Sequence, residues 1–260
     1  MRSLSDEERR HYRDELRAGR YSALADAEGF DQICFALEAL GLRLLGKQGD
    51  LGQYKDRIGS YARHSPVLKE LAETYPAGFK PFEALYTTVR KARNDNMHLG
   101  AYARHATTAA IELCIGLEEA LMVGVTPLVG HVMVKQPISV EPWQPVAHAR
   151  QLMLMHSFSF LPVRHEQAWF LLSELALARF LNCSREERAI RLGLSIADAL
   201  GCLPGLALTP VVESRLLTVN TPVVDVLRAG QAGDGPTLWL VIDEGKRENL
   251  VGVLSPFELM

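Results

Sequence analysis

From residue 131 to the end of the chain, one succession of short apolar runs is spelled twice. The first copy reads His131-Val-Met-Val, Ile138-Ser-Val, a helical stretch from about Pro145 to His156, Phe160-Leu-Pro-Val, Trp169-Phe-Leu-Leu-Ser and a helix onward. The second reads Thr209-Pro-Val-Val, Leu217-Thr-Val, a helical stretch from about Pro222 to Ala229, Leu238-Trp-Leu-Val-Ile, Leu250-Val-Gly-Val-Leu-Ser and the start of a further helix. Each copy has the order β-β-α-β-β-α, so this half of the chain is expected to fold as a paired α/β module.

The first half has a different texture. From residue 5 to about 124 the apolar residues fall at three- and four-residue intervals, as in Phe30, Ile33, Cys34, Leu37, Leu40 and Leu44, and that spacing puts them on one helix face. Ser5-Asp6-Glu7-Glu8 has the form of a capped helix start. Gly46, Gly49 and Gly52 are read as loosening the chain, with a shorter helix after Ser65-Pro66. Phe82, Leu85, Val89 and Ala92 begin another helix that runs toward Arg93-Asn94-Asp95-Asn96-Met97-His98, with Gly100 ending or kinking it. A long helix over about 102–123 completes a bundle of four to five members. Gly-Val-Thr-Pro at 124–127 breaks the helical period and marks the boundary between domains 1–125 and 126–260. The expected fold class is thus α plus α/β, an antiparallel helical bundle followed by a paired module with repeats at about 131–182 and 207–260.

At 260 residues and 48% hydrophobic content, the chain can bury substantial cores in both halves. Its 28 basic and 31 acidic residues give a net charge of −3, which excludes binding of nucleic acid through a global basic field and leaves only local clusters for that task. Cys34, Cys114, Cys183 and Cys202 lie far apart among apolar residues and are read as buried thiols, with no metal site implied. The charged N-terminus lacks the apolar core of a signal peptide, and no run approaches a membrane span, so the expected location is cytoplasmic, with no membrane partner.

The repeated half resembles paired CBS domains. The phrases that carry the resemblance are Val132-Met133 with Pro137-Ile-Ser-Val, Pro145-Val-x-x-Ala-Arg-x-Leu-Met and Leu161-Pro-Val, then Thr221-Pro-Val-Val-Asp-Val-Leu, Trp239-Leu-Val-Ile-Asp and Gly252-Val-Leu-Ser-Pro-Phe-Glu-Leu. The resemblance implies two motifs folded about a pseudo-twofold axis, with clefts that take an adenine nucleotide (AMP, ADP, ATP or S-adenosylmethionine) as a regulatory ligand. In that family a Ser or Thr, with an Asp three residues later, serves the phosphate side and the ribose. Ser255 and Glu258 match those positions, with Glu in place of Asp, and become the candidate nucleotide-binding pair. Ser173 is followed at that distance by Ala176, so the first repeat departs from the pattern and Ser173-Glu174 reads as a helix start. The residues alone allow a second reading, because Ser255 and Glu258 also spell a capping box that needs no ligand.

The helical half resembles HEPN ribonucleases through Arg93-Asn94-x-x-x-His98 near the end of a bundle helix. The resemblance implies a metal-independent endoribonuclease, toxin-like or stress- and defence-like, that leaves 2′,3′-cyclic phosphate ends and needs no cofactor for catalysis. His98 would be the base that draws the proton from a ribose 2′-hydroxyl, since imidazole titrates near neutrality. Arg93 would face the developing phosphorane charge, and Asn94 would orient His98 or bind phosphate. On an ideal helix Arg93 and His98 lie about 140° apart, so a helix distortion or a site shared across a homodimer is expected. Gly100 stands where one toxin subgroup has a tyrosine, so regulation through that tyrosine is not implied. The structural alternatives are an Arg93 paired with Asp95 or Glu83, and a His98 that interacts with a helix dipole.

Together these readings imply an RNA-cleaving homodimer whose activity is tuned by an adenine nucleotide, with an antitoxin or other partner protein. The alternative is a non-catalytic nucleotide sensor whose helical half is a dimerisation or partner-binding platform.

Overall fold

The computed structural model describes residues 3–26, 29–94, 100–229 and 237–260. The chain divides into two compact units, Met1–Thr126 and Pro127–Met260.

The first unit is built from helices. α1 (Asp6–Ala25) starts as its sequence predicts. Ser5 Oγ accepts from the Glu8 amide at 3.2 Å, and the Glu8 carboxylate accepts from the Ser5 amide at 2.9 Å, so two orphan donors are satisfied reciprocally. α2 (Phe30–Leu45) buries Phe30, Ile33, Cys34, Leu37, Leu40 and Leu44 and stops at Gly46, whose φ of 77° caps it. The glycine-rich stretch that follows departs from expectation, because it contains a full helix, α3 (Leu51–Ala62). Asp50 caps α3 by accepting from the Gln53 amide at 2.9 Å, and Leu51, Tyr54, Ile58 and Tyr61 form its buried stripe. Gly52 and Gly59 each cost such a helix about 1 kcal/mol relative to alanine, and burial of that stripe outweighs them. After Pro66 a π-helical turn (Val67–Leu71) runs into the single turn α4 (Ala72–Thr74). α5 (Phe82–Asn94) and α6 (Gly100–Met122) complete the unit.

All these elements share one core. α1 packs on α2 and α6, and α3 packs on α2, α5 and α6. The α2–α3 crossing is close: a Cβ on Gly41 would lie 2.3 Å from Tyr54 Cγ, so the tyrosine ring occupies the space that any side chain at 41 would need. Cys34 and Cys114 are fully buried in this core, and burial pushes the Cys34 thiol up to about 12. Cys183 and Cys202 are only half-buried, which corrects the reading of all four as interior. A thiolate-selective reagent at pH 8 is therefore expected to label two cysteines in the folded protein and four after unfolding, as read by mass spectrometry. Labelling of Cys34 at the rate of Cys183 would contradict this.

The second unit contains the repeat, with its strands exchanged. The first repeat supplies α7 (Val129–Val132), β1 (Val134–Lys135), α8 (Val146–His156), β2 (Phe160–His165), β3 (Ala168–Ser173) and α9 (Glu174–Phe180). α10 (Arg185–Gly193) and α11 (Ile196–Leu200) follow. β4 (Thr209–Pro210), β5 (Leu216–Leu217), α12 (Val223–Ala229), β6 (Trp239–Ile242) and β7 (Leu250–Leu254) form the second repeat, ending in a 3-10 turn at Pro256–Leu259. The sheet orders are β1-β7-β6-β5 and β2-β3-β4. Each repeat thus gives its first strand to the other's sheet, β1 pairing with β7 and β4 with β3, both antiparallel. β5 runs parallel to β6, and Val140 makes the equivalent single parallel bridge to Val163.

The helical turns at the head of each repeat obey the same rule. Leu128 bridges Pro222, and Ser195 bridges Pro145, so α7 packs with the second repeat's residues and α11 with the first's. Two details differ from the sequence reading. The run at 131–134, expected as a strand, begins as α7 because Val129 and Val132 are spaced for one helical face and both are buried. The stretch 185–200 holds two helices, each started by a serine, Ser184 on the Glu187 amide and Ser195 on the Asp198 amide. Between the sheets Trp169, Leu171, Leu240 and Ile242 form a separate apolar seam.

Candidate functional site

α5 carries the catalytic candidates of the helical unit. Arg90 follows Tyr86 by four residues, and Arg93 and Asn94 follow Arg90 by three and four, so all four lie on one side of the helix. Tyr86 anchors it. Its hydroxyl donates to the Leu51 carbonyl at 2.8 Å, tying α5 to the amino end of α3, and burial raises its pKa well above the usual phenol range. One and two turns further on, Arg90, Arg93 and Asn94 line a cleft of about 400 Å³ together with Lys91. Its remaining lining comes from Asp50, the cap of α3, from Leu51 and Gly52 of its first turn, and from Glu38 of α2.

Arg93 is held by an acid the sequence did not single out. Its Nε stands 3.5 Å from Glu38 Oε1, with the two side chains 38% and 36% exposed. That Nε is buried and makes no hydrogen bond, so the attraction is one of charge. Of the two partners considered from sequence, Glu83 pairs instead with Lys55, while Asp95 lies outside the described residues. His98 also lies outside them. Among the described residues the structure brings Arg93 and Asn94 into one cleft. Gly100 is the first described residue of α6, and the stretch 95–99 before it lies outside the described residues. Arg90 and Glu38 escaped the sequence reading. Their signal was the stripe Tyr86, Arg90, Arg93, which sets two arginines above a buried tyrosine, and Glu38, the acid in the middle of α2 between its buried residues Leu37 and Leu40.

The second site stands after β7. Ser255 Oγ accepts from the Phe257 amide at 3.2 Å and donates to Glu258 Oε2 at 2.7 Å. The same Oε2 accepts from the Ser255 amide at 2.8 Å. Ser255 and Glu258 are together, and they close a capping box on the final 3-10 turn. Glu258 Oε1 carries none of these hydrogen bonds. In the first repeat Ser173 caps α9 through the Ala176 amide at 3.1 Å, the helix start expected from sequence. Lys135 pairs in register with Gly252, on the strand that leads to Ser255.

Among the described residues no group of three or more His, Cys, Asp or Glu is placed to hold a metal ion. No helix among them is long and apolar enough to cross a membrane.

No family model matches the chain, and no curated protein matches it. Solved structures are similar to about half of it. One is CBSX2 in complex with AMP, 20% identical over 51% of this chain and 92% of that one, with a TM-score of 0.37. A CBS-domain-containing protein from Agrobacterium tumefaciens is 16% identical over 52% of this chain and 92% of its own, also at 0.37. An uncharacterized conserved protein from Pyrococcus horikoshii is 20% identical over 52% and 89%, at 0.36.

Proposed function

We propose that the second unit is a CBS-type pair that senses an adenine nucleotide, and that the helical unit is the nucleotide-regulated effector, a metal-independent endoribonuclease acting as a homodimer. The exchange of first strands between two equivalent repeats carries the first part, because it joins both repeats into one body in which a ligand can bias the whole. Glu258 fits a ribose in part: Oε1 can accept from a hydroxyl, while Oε2 stays in the capping box unless the turn opens.

Calorimetry of the full chain with AMP, ATP and S-adenosylmethionine tests this part. Binding of at least one, weakened by Glu258→Ala, is the expected result; no heat with any of them ends the nucleotide reading. Regulation further requires that the ligand favour one conformation over another, since equal affinity for both shifts nothing.

The nuclease part is supported by Arg93 and Asn94 sharing a cleft with two further cations. Arg93 would stabilise charge on the phosphorane, and His98 would take the proton from the 2′-hydroxyl. RNA cleavage in the presence of a chelator is expected, falling about 10²- to 10³-fold in Arg93→Ala and in His98→Ala. Undiminished cleavage in both variants, or no cleavage by the unaltered protein, would leave the non-catalytic sensor as the reading. The Arg93–Glu38 contact favours that sensor, since it already gives the guanidinium a structural duty.

A further inference from the structure

The cleft holds a cation with no duty in the chemistry above. Arg90 is half-buried, and among the described residues it makes neither a hydrogen bond nor an ion pair. Its guanidinium lies over the amino end of α3, with Nη1 3.5 Å and Cδ 3.9 Å from the point that a Cβ on Gly52 would occupy. That placement is electrostatically awkward. The first-turn amides of a helix carry partial positive charge, and those of Leu51 and Gly52 lack the intrahelical partners that later residues have. Asp50 Oδ1 lies 3.0 Å from that same Cβ point and offsets part of this field, but it is engaged by the Gln53 amide and forms no ion pair with Arg90 among the described residues.

Lys91, the next residue, is exposed and has no ion pair among the described residues either. Its presence is explained by α5's own carboxyl end, which favours cations in the last turn. Arg90 has no such account, because it reaches away from that end toward the positive pole of another helix. Counting Glu38 and Asp50 against Arg90, Lys91 and Arg93, the cleft keeps one net positive charge, which suits a singly charged phosphodiester. Arg90 and Asn94 stand four residues apart, about 6 Å along the axis, a spacing comparable to the step between successive phosphates of a single strand.

We propose that Arg90 is a second phosphate-binding residue of this cleft, holding the RNA backbone phosphate next to the one that Arg93 faces. This rests on the reading of the cleft as an RNA site. Arg90 thereby positions the strand, and Arg93 faces the adjoining phosphate. Guanidinium suits this duty better than ammonium, since its planar fork matches two phosphate oxygens at once.

The test uses the full chain and a 2′-O-methyl oligoribonucleotide, which lacks the attacking hydroxyl and so reports binding without cleavage. Fluorescence anisotropy across a salt series is the readout. Arg90→Ala is expected to weaken binding about tenfold and to reduce the salt slope by about 0.7, the value of one single-strand phosphate contact. Arg90→Lys should restore the slope but only part of the affinity. A packing role for Arg90 would leave the slope unmoved, and equal thermal melting of the variants shows that folding is intact.

If both variants bind like the unaltered protein with the same slope, the proposal is overturned while cleavage by Arg93 and His98 stands. Arg90-dependent binding by a protein that cleaves no RNA supports the proposal and ends the nuclease reading. Binding of inorganic phosphate alone, sensitive to Arg90→Ala but with no binding of the oligonucleotide, overturns the assignment to RNA.

Discussion

Replacing Glu118 with alanine is expected to cost the helical unit about 3–5 kcal/mol of stability, a large share of what a domain of this size has. Glu118, on α6, accepts from Arg20 Nε at 2.8 Å, Arg20 Nη2 at 3.0 Å and Arg17 Nε at 3.2 Å, both arginines on α1. The three side chains are 8%, 12% and 22% exposed. The carboxylate's hydrogen bonds raise the Arg20 pKa above its usual value, so that guanidinium stays charged, and deleting the acid strands two cations against the core. Glu118→Gln keeps an acceptor for one of them and should cost less, about 1–3 kcal/mol.

The contrast lies in the other unit. Arg247 and Glu213 approach to 2.6 Å, but their side chains are 70% and 69% exposed. Glu213→Ala should therefore change stability by less than about 1 kcal/mol. Urea unfolding followed separately for the two units measures both; equal losses from Glu118→Ala and Glu213→Ala would show that burial does not govern these pairs.

Leu240→Ala should destabilise the second unit by about 2–5 kcal/mol and should do so in both repeats at once. Leu240 is fully buried in the seam with Trp169, Leu171 and Ile242, where residues from both sheets meet. Each sheet also ends in a strand lent by the other repeat, so neither can keep its edge paired if the other opens. Hydrogen exchange is the direct measurement. Protection over Phe160–His165 and Ala168–Ser173 should fall together with that over Trp239–Ile242 and Leu250–Leu254. Loss confined to the two strands of the second repeat would mean that the repeats are independent, and the case for a joint sensor would weaken with it.

The elements most readily anticipated were those fixed by short-range chemistry. The Ser5 capping box, the apolar face of α2, the start at Pro145-Val146 and the duplicated strand order all depend on residues within a few positions of each other. α3 was missed because three glycines suggested a loop, while its helix owes its existence to a stripe buried against α2, α5 and α6. The short first strands were misjudged at 131–134 for a similar reason, since a two-residue strand exists only where a distant edge receives it.

By itself the sequence determined that the chain has a helical half and a duplicated α/β half, because hydrophobic periodicity and turn residues act locally. It also marked Arg93 and Asn94 as neighbours at a helix end, and Ser255 and Glu258 as a pair three residues apart. The tertiary structure alone decided that the repeats trade their first strands, that Glu38 is the acid beside Arg93, and that Arg90 faces the amino end of α3. Those facts join residues from 38 to more than 100 positions apart, and such contacts are set by how buried faces pack, which no local pattern encodes.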